Sequence, residues 1–403
     1  MNRVSSASVT AAIFLALLCP LEIIAQKAGG GTSVPPASGN PQKLFTAGET
    51  ALRENKLEEA ERNFRAVLAL DPGAAGAYAN LGVVQMRRKQ WPAAIAMLRK
   101  AEKLAPNVAG IRLNIGLAYY RQNDFLSAIP PFESVVKQLP DSYQARYLLG
   151  LCYFFNDRWA DTIDALEPLW GQASSQVYYL YVLAHAAEQA HNPALVERAQ
   201  SRLVEVGQDT PQYRLILGKA HYNRGEYDDA LRELEAAVLA DPKLPFVHFN
   251  LGLTYVRKQD YERAHAEFKK DLEIDPDVAF TYEQLGSLES TLRQDDEASN
   301  NYRRAVKLDP RLASAHMGLA KIEERRKNYP AALAELDQVI RLDTANASAR
   351  YLRGQVLLRV GREKEGREEL AAATKMMNQQ RTARQKELEG ERAPSPELAR
   401  EPE

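Results

Sequence analysis

The sequence predicts an all-α solenoid, one elongated array of ten similar helix pairs. Two observations carry that expectation. The first is a repeat of 34 residues, marked by Gly48, Gly82, Gly116, Gly150, Ala184, Gly218, Gly252, Gly286, Ala320 and Gly354. Two more positions keep the same register: Ala60, Ala94, Ala128, Ala230, Ala264, Ala298 and Ala332, and then Pro72, Pro106, Pro140, Pro242, Pro276 and Pro310. Three registers held in phase from Pro41 to about Gln380 are not a chance pattern. The second observation is the pattern inside one unit, residues 245–278. Phe249, Leu251, Gly252 and Tyr255 fall on one helical stripe, and Tyr261, Ala264, His265, Phe268 and Leu272 on another. Lys258-Gln259-Asp260 is a polar turn between them. Asp275-Pro276 ends the second stripe, because proline lacks the amide donor and clashes with the preceding turn. Each unit therefore reads helix, turn, helix, stop. The small residue sits where the two helices of a pair must come close. One pair cannot bury its own apolar faces, but stacked pairs can.

These residues resemble the tetratricopeptide repeat, with its aromatic, Leu-Gly, Tyr, Ala, aromatic and Pro positions. Tyr78, Leu81, Gly82, Ala94 and Pro106 carry it in one unit. In the next, Ile115, Gly116, Tyr119, Ala128, Phe132 and Pro140 do so, and later Tyr282, Leu285, Gly286, Ala298, Tyr302 and Pro310. The resemblance covers residues 41–380 and implies a right-handed superhelix whose first helices line a concave groove. It also implies a non-enzymatic scaffold that binds a protein or an extended peptide there. An assembly subunit of an envelope secretion, pilus or polysaccharide-export machine is the alternative.

The regular array is read over 41–142 and again from Pro211. Units 143–176 and 177–210 are degenerate, with Ser174 and Gln208 in place of proline, and Thr162 and Val196 in place of alanine. Residues 1–25 differ from everything after them. Arg3 is followed by an apolar run, Val9 to Leu18, which Pro20 and Glu22 interrupt. That run is short of the roughly 20 residues a span needs, so it reads as a signal peptide cleaved after Ala25. The expected location is secreted or periplasmic, with an uncleaved membrane anchor as the alternative. An intact N-terminus on the mature protein would count against export. Residues 26–40 are rich in Gly, Ser and Pro and read as a flexible linker. Residues 381–403 read as a charged tail, helical at most to Glu389 and disordered beyond.

The net charge is −1 with both signs abundant, which gives no electrostatic case for nucleic acid. Of two cysteines, Cys19 lies in the leader, so Cys152 stands alone in a mature chain and reads as a core thiol. No metal-ligand spacing, nucleophile elbow or phosphate loop is present. The expectations are no enzyme, no cofactor, no metal and no small-molecule substrate. His248 and His316 take the first aromatic slot of their units, and His221 the Tyr slot. His185 with Glu188 is the one H-x-x-E pair that could begin a metal site, which leaves a metal-dependent accessory enzyme as a minor alternative.

Two sets of residues are candidates for peptide binding. Members of the family often place an asparagine two residues before the glycine, where its amide can both donate to and accept from a peptide bond. Asn80, Asn114 and Asn250 match that position, while Leu148, Val182 and Ile216 interrupt the series. The aromatics Tyr120, Tyr147, Phe154, Tyr178, Tyr181 and Tyr222 fall on the expected inner faces, in or near the degenerate units, and could supply anchor pockets. Gap filling in poorly stacked units is the competing role. Arg53, Arg87, Arg121, Arg257, Arg325 and Arg359 share a further repeat position, a basic row that either meets a ligand carboxylate or pairs locally with acidic neighbours.

Overall fold

The computed structural model describes residues 40–392. The signal-peptide reading, residues 26–39 of the linker and the last eleven residues of the tail lie outside them. The described chain is helical throughout its repeats. The pairs are α1 (Pro41–Arg53) with α2 (Leu57–Leu70), α3 (Ala75–Arg87) with α4 (Trp91–Leu104), and α5 (Ala109–Tyr120) with α6 (Phe125–Gln138). α7 (Tyr143–Phe154) pairs with α8 (Trp159–Leu166), which breaks into a 3-10 turn at Glu167–Leu169 and the short α9 (Trp170–Ala173). Pro168, with no amide hydrogen to donate, sits at that break. Next come α10 (Val177–Gln189) with α11 (Pro193–Gly207), α12 (Pro211–Arg224) with α13 (Tyr227–Ala240), and α14 (Val247–Arg257) with α15 (Tyr261–Ile274). The array ends with α16 (Ala279–Thr291) and α17 (Asp295–Leu308), α18 (Ala313–Arg325) and α19 (Tyr329–Leu342), and α20 (Ala347–Arg359) and α21 (Glu363–Arg392). α21 runs three residues past Glu389, where the sequence places the end of helix.

The described residues form two compact units. One extends to Leu217 and takes in Leu239–Leu244; the other holds Gly218–Val238 and the chain from Pro245 on. Within each unit, a helix packs on its chain neighbours, and the first helices of successive pairs also touch, as α7 and α10 do in the first and α16 and α18 in the second. First helices are therefore flanked on several sides. α5 buries Ile111, Leu113, Asn114, Ile115, Leu117 and Ala118, all round its circumference, whereas α4 buries only Ala94, Leu98 and Ala101.

The glycine markers act as the sequence predicts. A Cβ at Gly116 would lie 2.5 Å from the Phe132 ring, and one at Gly252 would lie 2.5 Å from the Phe268 ring, closer than any carbon contact. The stop signal has a second component. Asp275 and Asp309 each accept, through the side chain, the N–H two residues on, at 3.0 and 2.9 Å. That turn releases the chain from the helix before the next pair begins.

Candidate functional site

The candidate residues divide between the two units. Asn80, Asn114, Tyr120, Tyr147, Phe154, Tyr178 and Tyr181 belong to the first, and Tyr222 and Asn250 to the second. Burial separates them again. Asn80 is 0 % exposed and Asn114 is 1 %, and neither amide has a hydrogen-bond partner among the described residues. Leaving such a group unpaired costs about 1–3 kcal/mol. Asn250 is buried as well, but its amide donates to the Phe246 carbonyl at 2.8 Å, one turn back. Tyr120 is wholly buried and meets Phe125 edge to face at 5.2 Å. Burial pushes its hydroxyl far above the usual phenol range. Phe154 and Tyr178 are buried too. These residues are core in this structure, because a first helix flanked by both neighbours has little face left for solvent.

Tyr147, Tyr181 and Tyr222 keep some surface. Tyr222 accepts a hydrogen bond from Arg257 Nε at 3.0 Å and leans on Tyr227 at 5.8 Å. Tyr147 and Tyr181 stand one repeat apart, on the adjacent helices α7 and α10. Each is backed by a parallel ring one helical turn away: Tyr143 stacks on Tyr147 at 5.7 Å and 9°, and His185 on Tyr181 at 6.3 Å and 11°. Tyr143 also exchanges hydrogen bonds with Gln176 at the start of α10, at 2.9 and 3.1 Å, tying the two helices together. Behind His185 lie Phe154 and Trp159, both edge to face at 5.6 Å. Two partly buried tyrosines, of which Tyr181 is covered enough for burial to raise its hydroxyl, are thus backed by a packed aromatic bed.

This arrangement of helix pairs has a known relative. The tetratricopeptide-repeat profile matches residues 45–109, 113–168, 284–347 and 328–379, and related repeat profiles match 218–259 and 245–278. The chain belongs to the tetratricopeptide-repeat family. Among solved structures, it is similar to the crystal structure of MamA, at 21 % identity over 41 % of this chain and 97 % of that one, with a TM-score of 0.39. It is also similar to YrrB, described as a TPR protein with an unusual peptide-binding site, at 20 % identity over 44 % of this chain and 91 % of that one, with a TM-score of 0.38. The comparison with curated proteins returned no match.

In the arginine row of this tetratricopeptide array, Arg53 donates to Thr50 of its own helix, whereas four others reach the repeat before. Arg87 donates to the Leu52 carbonyl and Asn55. Arg257 donates to Tyr222, Arg325 to Asp295 and Ser290, and Arg359 to Glu324. These four arginines therefore each clip one pair to the next. Local pairing is one of the two readings the sequence offers; which residues are the partners follows from the packing of successive repeats. His185 and Glu188 stand 3.9 Å apart with no third ligand grouped around them. The one histidine-carboxylate group compact enough for a cation among the described residues is His221, Glu226 and Asp229. Arg224 already donates to Glu226 at 2.9 Å and lies 3.0 Å from His221 Nδ1, so a positive charge fills that position. No helix among the described residues is long and apolar enough to cross a membrane.

Proposed function

We propose that the chain is a non-enzymatic scaffold that binds a protein or an extended peptide across α7 and α10, with Tyr147 and Tyr181 as its anchors. The supporting observation is the pair itself: two rings that keep some surface, one repeat apart, each stacked on a neighbour that limits its rotation. Ordering a side chain at an interface costs roughly 0.5–1.5 kcal/mol, so rings held in advance make cheaper anchors. Aromatics of this kind dominate many interfaces. A repeat of 34 residues also presents similar contacts at a regular spacing, which suits an extended ligand.

The test is a pull-down from native extract with the full chain beside a Tyr147→Ala/Tyr181→Ala variant, after circular dichroism melts show that both fold. A protein captured by the first and lost by the second supports the reading. Equal capture by both moves the site elsewhere, and no capture by either removes the scaffold role in that extract.

A further inference from the structure

His316 lies on α18 and is 6 % exposed. Both of its ring nitrogens face acceptors. Nδ1 is 2.6 Å from Glu335 Oε2 on α19, and Nε2 is 3.2 Å from the carbonyl oxygen of Pro310, in the loop before α18. A neutral imidazole has one N–H to give and one lone pair to receive. Only the imidazolium donates from both nitrogens, so only the charged ring satisfies a carboxylate and a carbonyl together. Asp309, the residue before Pro310, adds a second negative group in the same loop. Burial pushes its carboxyl up, against the Arg311 amide and charge and, least, His316, which draw it down.

Equivalent positions along the chain support this reading. Steps of 34 residues take His316 forward to Arg350 and back to Tyr282, His248, Arg214, Leu180, Arg146, Arg112, Tyr78 and Leu44; four of these nine are arginine. Arg112 donates to the Pro106 carbonyl, and Arg146 to the Pro140 carbonyl at 3.0 Å, the same six-residue reach as His316 to Pro310. Arg350 is 3.2 Å from Glu369, the same nineteen-residue reach as His316 to Glu335. His248 makes that pairing too, with Nδ1 2.6 Å from Glu267 Oε2 and with Lys270 and the buried Asp271 close by. In several repeats, then, a permanent cation occupies the slot and uses one or other of these partners. His316 uses both, and a histidine, unlike an arginine, can give up its charge.

We propose that His316 is held in this structure as the imidazolium, which makes the pair α18–α19 a proton-linked joint. With the proton in place, the ring fastens α19 to the turn that leads into α18. Without it, one nitrogen presents a lone pair to an acceptor at a site that water scarcely reaches. The joint is then tight with the proton in place and looser without it, while the repeats that carry arginine in the slot are indifferent.

The full chain labelled with 15N-histidine tests this. His316→Gln and His316→Arg each remove the same ring signal, so its assignment does not depend on one variant folding. At about pH 7, His316 is expected to show N–H character at both nitrogens, as its two acceptors require. The second readout is the amide-exchange protection of residues 313–342 in the native chain divided by that in His316→Arg, taken at each pH so that solvent chemistry and the other titrating groups cancel. That ratio is expected to fall about ten-fold across the pH step at which the second N–H signal of the ring disappears. A ring with one bare nitrogen at about pH 7 overturns the proposal, and so does a ratio that stays flat.

Discussion

At the residue scale, the second unit carries a polar group whose burial sets a measurable pH dependence. Asp271 is buried and accepts from the Thr281 hydroxyl at 2.6 Å. Burial raises its carboxyl from 3.8 to about 6. The folded chain therefore keeps a proton that the unfolded chain has released, so stability falls as pH rises through that window. Asparagine suits the site, since its oxygen can accept where the carboxylate did and its amide can donate to the Thr281 hydroxyl. Asp271→Asn is expected to match the native chain near pH 4 and to exceed it by about 1–3 kcal/mol above pH 6. Urea unfolding at the two pH values checks this, and equal stabilities at both would show that the carboxylate is not strained by its burial.

At the element scale, the turn inside each pair has a fixed backbone form. Asn55, Lys89, Asn123, Asp157, His191, Gln259, Arg293 and Lys327 all have φ between 55° and 63°, and Gly225 and Gly361 have φ near 80°. These positions also follow the 34-residue period. A left-handed residue closes the first helix and aims the chain at the second. Only two of the ten are glycine, so side chains pay the strain at the others. Lys327→Gly is expected to stabilise its pair by about 0.5–1 kcal/mol, the relief of strain being partly offset by the greater freedom of glycine in the unfolded chain. A thermal melt of the full chain reads the sign. A lower melting temperature would mean that Lys327 has a compensating contact. The turn was legible in the sequence as a short polar stretch, but its left-handed residue was not, because lysine and arginine carry no mark of it.

At the scale of the whole molecule, the main helix contacts among the described residues run between chain neighbours and between successive first helices. Damage should therefore stay local. Gly116 and Gly252 lie in different units, each against a rigid phenylalanine ring. Gly116→Ala and Gly252→Ala are each expected to cost about 1–3 kcal/mol by overpacking. In the double variant the costs should add to within about 0.5 kcal/mol. Hydrogen exchange over 109–138 and 247–274 separates the two effects, and a loss of protection in one region caused by the glycine of the other would contradict nearest-neighbour stability.

The sequence by itself determined the period, the helix pairs, their stop signals and the glycine contacts. All of these depend on residue spacing within one unit, and a repeat states that spacing ten times over. It also pointed to Tyr147 and Tyr181, because the same register that marks the core marks the positions beside it. Only the tertiary structure decided which candidates keep a surface. Tyr120, Phe154 and Tyr178 share the expected faces with Tyr147 and Tyr181, yet they are buried, since exposure depends on how neighbouring repeats close over a helix. Likewise, the sequence could place His316 in an aromatic slot. That both its nitrogens meet acceptors depends on a carbonyl six residues back and a carboxylate nineteen ahead, which only the packing of α18, α19 and their loop brings to one ring.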